Sequence, residues 1–302
     1  MAPVADPSLE KLEAIIKETL ASTSDPKLKE KLTRAQELVN TASIRSKGVL
    51  NKFALDGQVA VVTGGGQGIG RSIAHALGEA GAKVAIADLD LSRAETVAAE
   101  LESKGISSLA IKVDVSKKQE CEEMVQTILS KFGDLHIGVN NAGIVMNSDS
   151  EDTSEREWTT TMAVNLNGAF YCCQAEAKHM LKKGYGRIIN TASMSAIVVN
   201  HPQKQVAYNA SKAAVVHMTK TLGTEWCDRG VTVNSISPGY TDTELTRAEK
   251  LVTLRNMWSN DTPMKRLADV EDLVGGVLYF TSQLANFTTG FNLVMDGGFT
   301  CW

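Results

Sequence analysis

The stretch VAVVTGGGQGIG, residues 59–70, decides the fold of this chain. Its apolar start predicts a buried strand, and the glycines that follow predict a sharp turn into a helix. In such a turn Gly64 permits the tight bend, Gly68 lets the backbone approach a pyrophosphate, and Gly70 lets the helix pack closely on the strand. The free N–H groups at the start of the helix favour an anion. The stretch therefore predicts the first βαβ unit of a dinucleotide-binding fold.

Short apolar runs alternate with helical patterns from residue 56 onward. This alternation predicts one doubly wound α/β domain, with a parallel sheet, right-handed crossovers and helices on both faces. Helices are expected over residues 68–80, 91–103 and 117–132. The predicted strands are 59–62, 84–87, 109–113, 137–139, 188–190, 231–236 and 292–295.

Composition changes near residue 50, so we expect a helical N-terminal extension, residues 1–50, ahead of the main domain, residues 51–302. Ser8 is expected to cap a first helix, and Asp25 with Pro26 to open a second. The extension could be a hairpin packed on the main domain or on a neighbouring subunit, a partner-binding or regulatory arm, or disordered chain. The apolar stripes expected on its helices are Leu9, Leu12, Ile15, Ile16 and Leu20, then Leu28, Leu32, Ala35, Leu38 and Val39.

Charge and composition exclude several classes of protein. A net charge of -4 supplies no basic surface for nucleic acid or an anionic membrane. No apolar run approaches the roughly 20 residues that span a bilayer, and the N-terminus lacks the pattern of a secretory signal. The 5 cysteines form no C-x-x-C pair and the 5 histidines are scattered, so we expect free thiols, no metal site and a cytoplasmic location.

Polar and small residues follow the predicted strands at their carboxyl ends, where open α/β sheets bind ligands. Asp88 ends the second strand, where a carboxylate accepts hydrogen bonds from the adenosine ribose and repels a 2′-phosphate. Neither Gln67 in the glycine turn nor Leu89 is a cation. We therefore expect NAD(H), with NADP(H) possible. Further cofactor contacts are expected at Ile69, Asp114, Val115, Asn141, Ala142 and Gly143.

Tyr208 and Lys212, in the stretch YNASK, lie one helical turn apart and so share a helix face. A phenol has an unperturbed pKa of about 10 and is a poor base near neutrality. A neighbouring ammonium stabilises the phenolate and lowers that pKa toward the working range. The pair predicts an acid–base site beside the dinucleotide.

Together the motifs TGGGQGIG, NNAG, VNLNG, INTASMS, YNASK, SPGYTDT and DGG resemble those of the short-chain dehydrogenase/reductase family, over residues 53–302. The resemblance implies a single Rossmann domain with a seven-stranded parallel sheet, assembled as a homodimer or homotetramer. It implies metal-independent hydride transfer between a nicotinamide cofactor and an alcohol or carbonyl compound. The cofactor contacts that it implies in the SPGYTDT turn are Pro238, Gly239, Thr241 and Thr243. Its catalytic set falls on Asn165, a serine, Tyr208 and Lys212.

The serine of that set has two candidates. The register of the fifth strand selects Ser193, whereas the family's usual spacing ahead of the tyrosine selects Ser195. We expect Ser193, because the polar loop VVNHPQKQ resembles a short insertion that stretches the spacing. The resemblance implies that Ser193 hydrogen-bonds the reacting oxygen, that Lys212 also holds the nicotinamide ribose, and that Asn165 holds a water linking Lys212 to solvent.

The stretch TASMSAIVVNHPQKQVAYNASK and the ending GGFTCW resemble the branch of the family that acts on mannitol, arabinitol, sorbose and xylulose. The resemblance implies a polyol or ketose substrate bound near Ser193, Ser195 and Tyr208. The irregular, polar segment 244–264 is expected to form a lid. Alternatives are an NADP(H)-dependent keto-sugar reductase, a reductase of 3-oxoacyl, steroid or xenobiotic ketones, and an idle dinucleotide-binding module. Polar substrate contacts are expected from Asn147, Asn200, His201 and Gln203.

Overall fold

The chain divides between Ala54 and Leu55 into two compact units. The structure is a computed structural model that describes residues 7–244, 246–247 and 251–302, with the backbone alone for 7–10 and 41–47. The first unit holds two helices that pack against each other, α1 (Pro7–Ser22) and α2 (Pro26–Lys47), and a 3-10 turn, Val49–Phe53.

The start of α2 agrees with its sequence signal, because the Asp25 carboxylate accepts a hydrogen bond from the N–H of Lys27 at 3.0 Å. The expectation for the first helix was wrong, since Ser8 lies within α1 rather than ahead of it. The apolar stripes are also only partly buried. Ile16 and Val39 are buried, whereas the exposed members are Leu12, Ile15, Leu28 and Leu38.

Seven parallel strands form the sheet of the second unit, and every strand lies within two residues of its predicted bounds. The strands are β1 (Val59–Thr63), β2 (Lys83–Asp88), β3 (Ser108–Lys112), β4 (Ile137–Asn140), β5 (Gly186–Thr191), β6 (Val231–Pro238) and β7 (Asn292–Met295). Their order is β3-β2-β1-β4-β5-β6-β7, with parallel pairing throughout. The predicted seven-stranded, doubly wound α/β fold is confirmed. The strand order runs outward in opposite directions from the neighbouring strands β1 and β4, and such a switch point opens a crevice at the carboxyl ends of the strands.

Helices cover both faces of this sheet. The helices of this unit are α3 (Gly68–Glu79), α4 (Leu91–Ser103), α5 (Lys118–Phe132), α6 (Glu155–Met162), α7 (Ala169–Lys183), α8 (Val206–Trp226), α9 (Val252–Asp261) and α10 (Val274–Thr281). A π-helical turn, Ala163–Gly168, joins α6 to α7. Part of the segment expected to be irregular, 244–264, is the helix α9, while residues 245 and 248–250 of it lie outside the described residues.

Two apolar cores flank the sheet, because successive strand residues point to opposite faces. Val59 and Val61 of β1 belong to the core under α5, α7 and α8, whereas Ala60 and Val62 belong to the core under α3, α4 and α10. A fully buried aliphatic side chain stabilises a fold by roughly 1.5–3 kcal/mol. The strand ends that carry polar residues therefore project from a rigid, doubly covered sheet.

The described part of the chain contains no helix with the length and apolar character needed to cross a bilayer. In the same residues, no three side chains of the kinds that bind metal ions come together. The cysteines are free thiols: Cys121, Cys172 and Cys173 are buried, and Cys227 and Cys301 are exposed.

Candidate active site

A crevice of about 300 Å³ lies across the carboxyl ends of β1 to β4. It brings together most of the residues predicted to contact a dinucleotide. Its lining includes Gly64, Gln67, Gly68, Ile69, Asp88, Leu89, Asp114, Val115, Asn141, Ala142, Gly143 and Thr243.

The glycine turn in this crevice leaves no room for a side chain at Gly64 or at Gly70. Gly64 has a φ of 60°, and a Cβ there would lie 2.9 Å from Cα of Ala142. A Cβ on Gly70 would lie 2.1 Å from the carbonyl oxygen of Gly64, so α3 can approach the turn only because Gly70 lacks one. The N-terminus of α3 therefore opens onto a bare backbone cradle, which fits a pyrophosphate.

Asn141 fastens this cradle to the end of β4. Its side-chain Nδ2 donates to the carbonyl oxygens of Thr63 and Gly64, each at 3.2 Å. The backbone N–H groups of Asn141 and Ala142 donate to the Thr63 hydroxyl at 3.1 and 3.2 Å. The amide predicted to contact the cofactor thus also holds β1, the glycine turn and β4 together.

Asp88 ends β2 in the crevice, as predicted, and its two carboxylate oxygens are held by backbone donors. Oδ2 accepts from the N–H of Gly66 at 2.9 Å, and Oδ1 accepts from the N–H of Asp90 at 3.0 Å. Asp90 rather than Asp88 caps α4, since its carboxylate accepts from the N–H of Ser92 at 3.0 Å. The Asp88 side chain is thereby fixed in orientation beside the glycine turn.

Arg93 is a cation at this end of the crevice that the sequence analysis missed. Its Nη1 donates to Oε1 of Gln67 at 2.5 Å, and its Nε lies 3.3 Å from Oδ2 of Asp90. Gln67 and Leu89 are the neighbours of a 2′-phosphate that the local sequence indicates. Arg93 comes later in the chain, but the first turn of α4 carries it back to the glycine turn.

A second cleft, also of about 300 Å³, adjoins the first and contains most of the predicted catalytic groups. Ser193, Tyr208 and Lys212 line it, but Asn165 does not. The predicted cofactor and substrate residues that also line it are Ile69, Asn141, Gly143, Asn147, Ser195, Asn200, Gln203, Pro238, Gly239, Thr241 and Thr243.

Lys212 is buried, and its Nζ donates to the carbonyl oxygen of Thr191 at 2.7 Å. Because burial disfavours the charged form, the pKa of Lys212 falls to about 8. The one-turn spacing on α8 places Nζ 5.7 Å from the centroid of the Tyr208 ring. The ammonium thus lies against the phenol ring, at the end of β5.

Burial raises the pKa of the Tyr208 phenol, and a hydrogen bond with Ser193 acts in the opposite direction. The sequence predicts that Lys212 lowers this pKa. In the structure burial is the largest effect on the Tyr208 pKa, and Lys212 is not among the groups that lower it. The physical reason is that Lys212 is itself desolvated and lies over the ring. The phenol therefore keeps its proton at neutral pH until further positive charge comes near.

The two serine candidates occupy different positions relative to Tyr208. Ser193 is the serine whose hydroxyl lowers the pKa of the phenol, and its Oγ accepts from the N–H of Ser195 at 3.1 Å. The two hydroxyl oxygens lie 3.0 Å apart. Ser193 is thus the serine in contact with the tyrosine, and Ser195 lies behind it.

Asn165 lies in the π-helical turn, and its side chain is fully engaged with the protein. Its Oδ1 accepts from the N–H of Ile144 at 2.8 Å, while Nδ2 donates to the carbonyl of Ile144 at 2.9 Å and to Oγ of Ser211 at 3.1 Å. Its amide therefore braces the loop after β4 against α8. A water relay at this residue would have to use the backbone, where a π-helical turn disturbs the regular hydrogen-bond ladder.

His201 is exposed and does not line the cleft, so the structure does not bring it together with the other predicted substrate contacts. Sequence reasoning also missed several lining residues, among them Gln205, Tyr240 and Trp258. Tyr240 lies inside the SPGYTDT motif, for which the family resemblance implies only cofactor contacts. Trp258 carried no local signal, because only the packing of α9 brings it to the cleft.

Comparison with known proteins identifies the family. Residues 64–300 match the family model described as enoyl-(acyl carrier protein) reductase. The chain is 38% identical over 253 residues to galactitol 2-dehydrogenase of Rhizobium johnstonii, which covers 83% of this chain and 98% of that protein. It is 38% identical over 256 residues to the NADP-dependent mannitol dehydrogenase of Hypocrea jecorina, with 83% and 96% covered.

Among solved structures, a short-chain type dehydrogenase/reductase from Mycobacterium marinum matches with a TM-score of 0.82 and 38% identity, covering 84% of this chain and 100% of that one. The chain belongs to the short-chain dehydrogenase/reductase family and is an oxidoreductase, as its motifs predicted.

Proposed function

We propose that this oxidoreductase transfers a hydride between NAD(H) and a sugar alcohol or the corresponding keto-sugar. The observation that carries the substrate class is the polar wall beside Tyr208, formed by the amides of Asn147, Asn200 and Gln203 with the phenol of Tyr240. A polyol needs several such donors and acceptors, because each hydroxyl loses its hydration on binding. The similarity to relatives named for galactitol and mannitol supports the same class.

The charge balance at the ribose end of the crevice supports NAD(H). Two carboxylates, Asp88 and Asp90, stand against one guanidinium, Arg93, which is already paired with Asp90. A 2′-phosphate would bring further negative charge beside Asp88, at a cost in desolvation and repulsion. Arg93 offsets part of that cost, so NADP(H) is the second candidate.

In the proposed reaction Tyr208, Ser193 and Lys212 have separate roles. When bound, the nicotinamide ring accepts or supplies the hydride. Tyr208 takes the hydroxyl proton in oxidation and returns it to the carbonyl oxygen in reduction, a role that contributes roughly 10²–10⁴-fold. Ser193 hydrogen-bonds the reacting oxygen. Lys212, anchored on Thr191, holds the nicotinamide ribose and adds positive charge beside the phenolate.

The test follows absorbance of the reduced cofactor with purified protein. NAD⁺ and NADP⁺ are crossed with mannitol, sorbitol, arabinitol, xylitol and galactitol, and NADH and NADPH with the matching ketoses. NAD-linked turnover of at least one polyol, abolished in Tyr208→Phe, is the expected result. Turnover with NADP(H) alone would overturn the cofactor assignment. Turnover only with 3-oxoacyl thioesters or non-sugar ketones would overturn the substrate class.

A further inference from the structure

Tyr240 is held rigidly in the wall of the substrate cleft. Its ring stacks on the indole of Trp258, with centroids 4.3 Å apart and planes inclined by 8°. Phe299 meets the same ring edge-on, at 5.4 Å and 88°. Such contacts on two sides restrict the phenol to one orientation, so the direction in which its hydroxyl faces is a property of the fold.

The orientation of the Gln203 amide follows from Trp258. An indole N–H can only donate, and Nε1 of Trp258 lies 3.2 Å from the Gln203 side chain, so the atom facing it must be the carbonyl oxygen Oε1. The NH₂ group of Gln203 then faces the Tyr240 hydroxyl oxygen, at 2.8 Å. The indole N–H thus fixes which end of the Gln203 amide faces the phenol.

The Tyr240 oxygen also accepts from Nδ2 of Asn200 at 3.2 Å. The orientation of Asn200 is set in turn by Gln205, whose Nε2 donates to the Asn200 oxygen Oδ1 at 3.0 Å. A phenol has one proton to donate and a limited capacity to accept, and here two amides already donate to it. In the described ranges of the chain, the hydrogen bonds of the Tyr240 hydroxyl are these two, both accepted, and its proton has no acceptor.

The proton also stays on the oxygen. Burial is the main cause that raises the pKa of Tyr240, ahead of the two amide hydrogen bonds that lower it. A neutral phenol in a cleft, with its acceptor capacity taken by protein, can meet a ligand only as a donor.

We infer that Tyr240 donates a hydrogen bond to a substrate oxygen other than the reacting one, and that Trp258 of α9 imposes this direction through Gln203. Tyr240 is thus a specificity-determining residue that requires an oxygen acceptor, hydroxyl or carbonyl, on a carbon away from the reaction centre. Gln203 and Trp258 are positioning residues. This inference rests on the proposed polyol function and adds a named contact to it.

The test is a thermodynamic cycle in which the Tyr240 hydroxyl is removed by mutation and single substrate hydroxyls are removed by deoxygenation. Wild type and Tyr240→Phe are each assayed with the best polyol and with its singly deoxygenated analogues. We expect Tyr240→Phe to lower kcat/KM for the full polyol by roughly 10–100-fold, mainly through KM. For one analogue, which lacks the acceptor oxygen, the same substitution should change kcat/KM by less than about 3-fold.

Two further variants test the imposed direction. In Gln203→Glu, a carboxylate accepts from both the indole and the phenol, so the Tyr240 proton turns away from the cleft. In Trp258→Phe, stacking is retained but the N–H that orients Gln203 is lost. Both should reproduce the selective loss on the full polyol, with thermal unfolding midpoints and NAD affinity close to wild type.

The outcomes separate this inference from the proposed function. Wild type that turns over no polyol would overturn the proposed function, and the inference with it. If the wild type is active and Tyr240→Phe lowers kcat/KM equally for the full polyol and for every analogue, the inference alone is overturned.

Discussion

Nη1 of Arg93 lies 2.5 Å from Oε1 of Gln67, a glycine-turn residue that lines the dinucleotide crevice. The Gln67 oxygen thus holds a guanidinium at the place where a 2′-phosphate distinguishes NADP from NAD. The Asp88 carboxylate contacts the same turn, because it accepts a hydrogen bond from the N–H of Gly66. We therefore expect cofactor preference in this chain to depend on the balance among Asp88, Asp90 and Arg93 rather than on Asp88 alone.

Replacing Arg93 by alanine should weaken binding of a 2′-phosphate selectively. Because a hydrogen bond to a charged group contributes about 1.5–3 kcal/mol, we expect the inhibition constant of 2′,5′-ADP to rise roughly 10-fold or more and that of ADP less than 3-fold. Arg71→Ala is the matched control, since Arg71 pairs with Glu100 instead. An unchanged ratio of the two constants in Arg93→Ala would contradict the role of the guanidinium.

The sheet could be predicted from local sequence, because its strands are short runs buried on both faces and bounded by polar or glycine residues. The N-terminal helices were predicted less accurately. Leu12 and Ile15 are exposed although they follow helical spacing, since apolar periodicity indicates a face without saying what covers it. Likewise α9 was missed because its polar sequence carries little periodicity, and Trp258 is buried by tertiary contacts.

Site residues could be predicted where local spacing along the chain brings them together. They could not be predicted where their role depends on a contact with a residue distant in sequence. Tyr208 and Lys212 share a face of α8 by helical spacing alone. Arg93, Gln205 and Trp258 gain their roles from contacts that only the folded chain creates. His201 shows the converse, because a polar residue in the correct loop faces solvent instead.

Tyr208→Phe should nearly abolish turnover while leaving cofactor affinity within a few-fold, because it removes the group that exchanges the substrate proton. Steady-state turnover and NADH fluorescence titration measure the two effects. Tyr185→Phe is the control, since Tyr185 precedes β5 at the opposite end of the sheet and its hydroxyl contacts Gln58. More than about a tenth of wild-type turnover in Tyr208→Phe would show the assignment to be wrong.

Mutation should distinguish the roles of Ser193 and Ser195. We expect Ser193→Ala to lower kcat by about 100-fold, because it removes a donor to the reacting oxygen as well as the hydrogen bond with Tyr208. Ser195→Ala should lower it by less than about 10-fold, since Ser195 contacts Ser193 and Gln205 instead. A larger loss in Ser195→Ala would transfer the catalytic role to Ser195.

The two reaction directions should respond oppositely to pH. Oxidation needs the Tyr208 phenolate, and burial raises the pKa of that phenol, so polyol oxidation should accelerate from about pH 7 to about pH 9. Reduction needs the protonated phenol and should not accelerate over the same range. Initial rates in both directions, with saturating cofactor and in buffers of equal ionic strength, measure this. Oxidation that slows as pH rises, in protein that stays folded, would argue against Tyr208 as the base.

Glu176 of α7 is fully buried beneath the crevice end of the sheet, with Asn140 as its hydrogen-bond donor at 3.3 Å. Neither Oε1 of Glu176 nor Oδ1 of Asn140 receives a hydrogen bond from the described residues. Burial raises the pKa of the Glu176 carboxyl to about 7. A proton on this carboxyl removes the charge that burial disfavours, which makes the neutral form the one that suits the fold.

Stability should therefore fall as pH rises between the ordinary glutamate pKa and about 7. In that window the folded chain binds a proton at Glu176 that the unfolded chain has released, so deprotonation favours unfolding. Glu176→Gln supplies an N–H donor at every pH and carries no charge. We expect it to raise the free energy of unfolding at about pH 8 by on the order of 2 kcal/mol, and to have little effect near pH 5. Urea unfolding at both pH values measures this, with exposed Glu95→Gln as the control. If Glu176→Gln kept the wild-type dependence on pH, the buried carboxyl would not be the titrating group.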